Sequence, residues 1–229
     1  MSIIKFSDNL MEKYGKTVFS HVDTSFLPAW VNYIINSKYR KSVKLVTWLK
    51  KQVDNPSNPL KAIVAEIPTR VNPDEQIIEI LKYVNNKLSY YGDTEIWDMA
   101  EHWNTVDETI EIWKGDCEDG GILIYVLARL KGIPVNQIYI CAGNVQGGGH
   151  AWVGYKPKNY PLNFSFIDWC YWYNSNTMGY RNKFSILDKA ITEYKYGTNI
   201  DTISKYYNVW FIFNEEKSYV KLKPIVMRN

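Results

Sequence analysis

Residues 115–134 read Gly-Asp-Cys-Glu-Asp-Gly-Gly-Ile-Leu-Ile-Tyr-Val-Leu-Ala-Arg-Leu-Lys-Gly-Ile-Pro. They hold the most legible helix of the chain and its most informative side chain. From Cys117 to Lys131 the apolar residues Ile122, Leu123, Val126, Leu127 and Leu130 recur at helical spacing, and Gly132 with Pro134 stops the helix. Cys117 therefore heads a buried helix, where free amides and the helix dipole favour an anion and hence a reactive thiolate. Gly120 and Gly121 stand in the first turns of the same helix. Each lowers helix propensity by about 1 kcal/mol, which predicts a compensating close approach by another segment.

Upstream, Thr105-Val-Asp-Glu108 fits a capping box and opens a short helix expected to end at Lys114-Gly115. Pro73-Asp74-Glu75 opens a longer one, with Ile77, Ile78, Leu81, Val84 and Leu88 at helical spacing. The stretch Val53–Leu60, with two prolines, two asparagines and a serine, predicts a surface loop and a soft boundary near residue 60. Before it lie two short helical patterns, Leu27–Ile35 and Val43–Leu49, so residues 1–60 read as a helical extension and 61–229 as the main domain. Downstream the period becomes alternating over Gln137–Ala142, Ala151–Tyr155, Phe164–Trp169 and Asn208–Phe213. Helices first and strands afterwards give an α+β fold, with N-terminal helices packed on an antiparallel sheet.

The chain has 229 residues, 46% hydrophobic and 22% charged. At that size about 70% of the unfolded surface is buried on folding, so no covalent staple is required. A net charge of +3 is too even to make nucleic acid or an anionic membrane the expected partner. The longest apolar run, Ile122–Ala128, is far short of the ~20 residues of a spanning helix. The start, Met1-Ser-Ile-Ile-Lys-Phe-Ser-Asp-Asn, lacks the marks of a secretory signal, and a cytoplasmic or phage-encoded protein is expected. Three cysteines, Cys117, Cys141 and Cys170, are an odd number without close pairing, which argues against a disulfide framework. Cys141 and Cys170 read as core thiols. No C-x-x-C or H-x-x-x-H spacing points to zinc.

Two further segments complete a candidate site: Gly147-Gly-Gly-His150-Ala-Trp-Val entering a strand, and Phe166-Ile-Asp168-Trp in the next. His150 and Asp168 fall on facing sides of an antiparallel pair. A cysteine nucleophile needs a base that takes and returns its proton, and a carboxylate on the other ring nitrogen fixes the imidazole tautomer. Cys117, His150 and Asp168 supply these three roles. These roles suit attack on a carbonyl carbon through a thioester acyl-enzyme.

The run Trp103–Asp119, then Gly149-His150-Ala-Trp-Val, then Ile167-Asp168-Trp, resembles the transglutaminase-like superfamily and within it the bacterial transglutaminase-like cysteine proteinases. The resemblance covers about Asn72 to Phe213. It implies a papain-like core and carries the Cys-His-Asp triad onto Cys117, His150 and Asp168. It also implies a cysteine peptidase or amidase that acts on a peptide or isopeptide bond, with a protein or peptide as the substrate. Two alternatives are a protein-glutamine transglutaminase passing the acyl group to an amine, and a non-enzymatic binding module on the same fold. Trp103 and Trp169 are candidate walls of a substrate cleft.

Asp116 and Glu118 flank Cys117 with negative charge that disfavours the thiolate. Either their side chains point away or a cation neutralises them. Some proteinases that the chain resembles bind calcium through the two acids flanking the cysteine, so Asp116 and Glu118 are candidate calcium ligands, with Asp93 as a third oxygen donor. No other cofactor is expected.

Overall fold

A computed structural model describes residues 19–21, 45–145, 148–156, 165–171 and 206–221. The helical pattern Leu27–Ile35 lies outside them. Along the chain the elements are β1 (Phe19–His21), α1 (Leu45–Asp54), α2 (Asn58–Glu66), α3 (Pro73–Lys87), β2 (Ser89–Tyr90), α4 (Asp93–Trp97), α5 (Val106–Ile112), β3 (Lys114–Gly115) and α6 (Cys117–Leu130). The sheet strands follow: β4 (Ile138–Val145), β5 (Gly148–Tyr155), β6 (Ser165–Ile167), β7 (Tyr206–Phe213) and β8 (Ser218–Lys221).

Helix α6 is the centre of the core, with every residue from Glu118 to Ala128 buried. It packs on β4 and β5 of the sheet and on α1, α3 and α5. Because it is enclosed on all sides, a Leu123→Ala cavity costs about 2–5 kcal/mol. The sheet is six-stranded in the order β1-β8-β7-β4-β5-β6, and each neighbouring pair is antiparallel. The fold is the α+β one read from the sequence, but the order differs at the start. Strand β1 precedes every helix and pairs with β8 at one edge of the sheet, so residues 1–60 are not purely helical, a long-range pairing that three residues cannot signal by alternation.

Several local signals act where the sequence places them. Glu108 N donates to Thr105 Oγ1 at 3.3 Å while Thr105 N donates to Glu108 Oε2 at 2.7 Å, a complete capping box. Gly132 follows α6 with φ +85°, a conformation favoured by glycine. Two details differ. Helix α5 ends on Trp113 at φ 51° rather than at Gly115, since Lys114 and Gly115 are drawn into strand pairing with Ser89 and Tyr90. The loop expected over Val53–Leu60 shrinks to residues 55–57: Ser57 Oγ accepts from Leu60 N at 3.2 Å, and Pro59 suits the first turn of α2. The core runs across this loop, for Leu45, Trp48 and Leu49 of α1 pack in one cluster with Leu60, Ile63 and the α6 residues.

The far end of α6 is closed by an ion pair between the half-buried Arg129 and the buried Glu215. Arg129 donates to Glu215 Oε1 from Nε at 3.0 Å and from Nη2 at 2.9 Å, and Tyr125 donates to Glu215 Oε2 at 3.4 Å. Among the described residues no helix is long and apolar enough to cross a membrane.

Candidate active site

The head of α6 is positioned by a short parallel pairing. Ser89 N donates to Trp113 O and Tyr91 N to Gly115 O, both at 3.0 Å, so Tyr91-Gly92-Asp93 runs beside Gly115-Asp116-Cys117. Asp119 locks this start. Its carboxylate accepts from Asp116 N at 3.1 Å, Asn104 N at 2.8 Å and Asn104 Nδ2 at 2.9 Å, tying the segment after Trp103 to the cysteine turn. Gly115 has to be glycine here, since a Cβ would lie 2.7 Å from Asp119 Cβ.

Cys117 is half-buried and its thiol donates to Glu118 Oε2 at 3.1 Å. Burial pushes the thiol well above its ordinary range, and the charges of Glu118, Asp116 and Cys170 push it further. The acids therefore do not point away. Donor atoms of Asp93, Glu101 and Glu118 lie within 4.8 Å of one another, as do those of Asp93, Asp116 and Asp119, and those of Asp116, Cys117 and Glu118. Loss of hydration and mutual repulsion raise these carboxyls: Asp93 is pushed up to about 7, first by burial and then by Asp116, while Asp116, Glu118 and Asp119 are raised by burial first. The backbone N–H of His102 donates to Asp93 Oδ2. Three buried oxygens, Asp93 Oδ1, Asp116 Oδ1 and Glu118 Oε1, accept from no N–H or hydroxyl group among the described residues, and the Asp116 and Glu118 carboxyl groups face one another. Buried carboxylate oxygens without donors are costly, and a hard cation with oxygen ligands is the chemistry that satisfies them.

The other half lies on the sheet. His150 sits in β5, and Asp168 follows directly on β6, its neighbour. The ring nitrogen Nε2 of His150 and Asp168 Oδ2 are 2.6 Å apart in a buried contact. Continuing the observed register places Asp168 opposite Trp152, so the His150 contact is diagonal on the shared face. The strand expected through Trp169 ends sooner, because Asp168 turns the chain: its Oδ1 accepts from Cys170 N at 3.1 Å, and Trp169–Tyr171 form a 3-10 turn. Trp169 joins the two halves. Its indole N–H donates to the Cys117 carbonyl at 3.4 Å, and a Cβ on Gly120 would fall 2.0 Å from that nitrogen. The close approach predicted for Gly120 is made by this indole, and Gly121 meets Val153 of β5 at ordinary contact distance.

The structure thus brings His150 against Asp168, and Asp93, Asp116 and Glu118 around Cys117. Trp103 is buried, with Trp48 and Phe213 as ring neighbours at 6.4 and 6.3 Å, and its indole donates to Glu101 Oε1 at 3.1 Å. Sequence reasoning missed Glu101, Asp119 and Asn104 in the acid cluster, and Tyr90, an exposed ring 5.9 Å from that of Trp169. Cys170 is the core thiol that the sequence predicts, buried in the apolar cluster, and its sulfur also lies within 4.8 Å of donor atoms of both His150 and Asp168. The one signal available for Asp119 was its place three residues after a helix-capping position, where a carboxylate reaches back.

The family model described as the transglutaminase-like superfamily matches residues 61–161. Among solved structures, EGTA-treated LapG of Legionella pneumophila is 15% identical over 76% of this chain and 84% of its own, with a TM-score of 0.49. Calcium-bound Legionella pneumophila LapG is 15% identical over 79% of this chain and 92% of its own, with a TM-score of 0.48. Among curated proteins none matches the chain.

Proposed function

On the premise that residues 61–161 form a domain of the transglutaminase-like superfamily, we propose that the chain is a cysteine hydrolase that cleaves peptide or isopeptide bonds through Cys117, His150 and Asp168. The observation that carries the reading is the buried 2.6 Å contact between His150 Nε2 and Asp168 Oδ2, on a strand against which the Cys117 helix packs. With Nε2 held by the carboxylate, Nδ1 is the ring nitrogen left to exchange a proton with the thiol. Cys117 gives its proton to His150 and attacks the carbonyl carbon, and the backbone amides at the head of α6 face the developing oxyanion. The imidazolium returns that proton to the leaving amine as the carbon–nitrogen bond breaks, leaving a thioester. Water, deprotonated by His150, then releases the acid product and the Cys117 thiol. Tyr90, the exposed ring beside Trp169, serves as a cleft wall, while the buried Trp169 holds the Cys117 carbonyl from the core and Trp103 acts from the core through Glu101.

The same reading assigns calcium to the acid cluster, with Asp93, Asp116 and Glu118 as ligands and Glu101 adjoining. The donor set is all oxygen, and three of its buried oxygens lack hydrogen-bond donors, which fits such a cation. When bound, the ion supplies positive charge that offsets the carboxylates opposing Cys117 ionisation. Mass spectrometry of peptides incubated with the full chain, calcium and a labelled primary amine tests the assignment. Cleaved peptide that disappears in Cys117→Ala is expected. Amine incorporation outpacing cleavage would make the protein an acyl transferase instead, and modification that survives in Cys117→Ala would remove the cysteine mechanism.

A further inference from the structure

Cys170 has no part in that reaction, yet its sulfur, a ring nitrogen of His150 and a carboxylate oxygen of Asp168 lie within 4.8 Å of one another and all three residues are buried. Their relative placement is fixed by the backbone: Cys170 N donates to Asp168 Oδ1 at 3.1 Å, and Asp168 holds His150 through its other oxygen at 2.6 Å. One nitrogen, one oxygen and one sulfur make a different donor set from the all-oxygen cluster around Asp116. Thiolate and imidazole favour zinc, and carboxylate oxygens alone favour calcium or magnesium. We propose that His150, Asp168 and Cys170 form a zinc site that holds the enzyme inactive.

Zinc bonds to sulfur, nitrogen and oxygen of about 2.0–2.3 Å put ligand atoms roughly 3.3–3.8 Å apart in a tetrahedral site. Drawing the three groups together therefore takes side-chain movements of about 1 Å, while the His150–Asp168 contact opens slightly. Binding releases the Cys170 thiol proton. If the metal takes Nε2, the ring proton moves to Nδ1, and if it takes Nδ1 that atom is blocked. In both cases Nδ1 no longer accepts the Cys117 proton. The inhibitory part rests on the hydrolase reading, whereas metal binding at these ligands stands apart from it.

The test uses the full chain with calcium saturating, and Co2+ as the probe. A near-ultraviolet thiolate-to-cobalt absorption band is expected in wild type and in Cys117→Ala, and it should vanish in Cys170→Ala and on addition of Zn2+. Cys170→Ser, which keeps the shape of the buried side chain and gives no such band, serves if the alanine variant fails to fold. In the activity arm, Zn2+ should inhibit wild type, and each Cys170 variant, compared with its own zinc-free rate, should need at least about tenfold more zinc. A band that survives in Cys170→Ala or Cys170→Ser, or disappears in Cys117→Ala, or is absent from wild type, overturns the site. The expected bands in a protein that cleaves no peptide would leave the zinc site standing and remove the hydrolase reading instead.

Discussion

The two ends of α6 treat buried charge in opposite ways. At the C-terminal end Glu215 is paired with Arg129 at 2.9 Å and bonded to Tyr125, so the charge is closed within the chain. At the N-terminal end Asp93, Asp116, Glu118 and Asp119 are crowded around Cys117, and three of their buried oxygens have no donor among the described residues. An ion pair of the first kind stabilises only while both partners are present. A cluster of the second kind destabilises the protein alone, and gains stability from whatever cation it takes up. One end of the helix is closed by a partner of opposite charge, and the other gathers like charges.

The largest effect that separates the two ends is catalytic. Cys117→Ala should lower peptide turnover by at least about a thousandfold, while the melting temperature stays within a few degrees. Asp168→Asn should lower turnover by about a hundredfold or more with the fold intact, since the amide cannot stabilise the imidazolium. Turnover within a few-fold of wild type would assign the orienting role elsewhere.

At the opposite end, Arg129→Ala leaves Glu215 buried without its partner and should cost about 3 kcal/mol in denaturant unfolding, with calcium making no difference to that loss. EGTA should lower the melting temperature of wild type by several degrees and added calcium should restore it, because at 100 times its Kd a ligand stabilises by about 2.7 kcal/mol. Cys117 should also be alkylated by iodoacetamide faster with calcium than with EGTA, and the buried Cys141 should stay unlabelled in both. Identical melting and labelling in the two conditions would make the ends alike.

The smallest effect is a pH slope. In EGTA, Asp93 is pushed up to about 7 from an ordinary value of 3.8, so the folded state holds its proton more tightly than the unfolded state does. Stability from this group is complete below its ordinary value and is lost as pH rises toward 7. The melting temperature in EGTA should therefore gain from acidification between about pH 7 and 5 relative to Asp93→Asn. Parallel curves for the two proteins would show that Asp93 does not titrate there.

Periodicity and capping alone determine that Cys117 heads a helix stopped at Gly132, that Thr105 and Glu108 open another, and that strands follow, because these signals act over three or four residues. The facing of His150 and Asp168 is legible for the same reason, since alternation along adjacent strands fixes which side chains share a face. Tertiary structure decides the rest. Strands of two residues, β2 and β3, are too short to show alternation, yet their pairing carries Asp93 to Asp116. An early end to β6, forced by the Asp168 side chain bonding Cys170 N, turns Cys170 toward the histidine and Trp169 onto Gly120. A pattern within one segment records which face is apolar. It does not record which distant segment will lie against that face, and the charge cluster and the third cysteine depend on that contact.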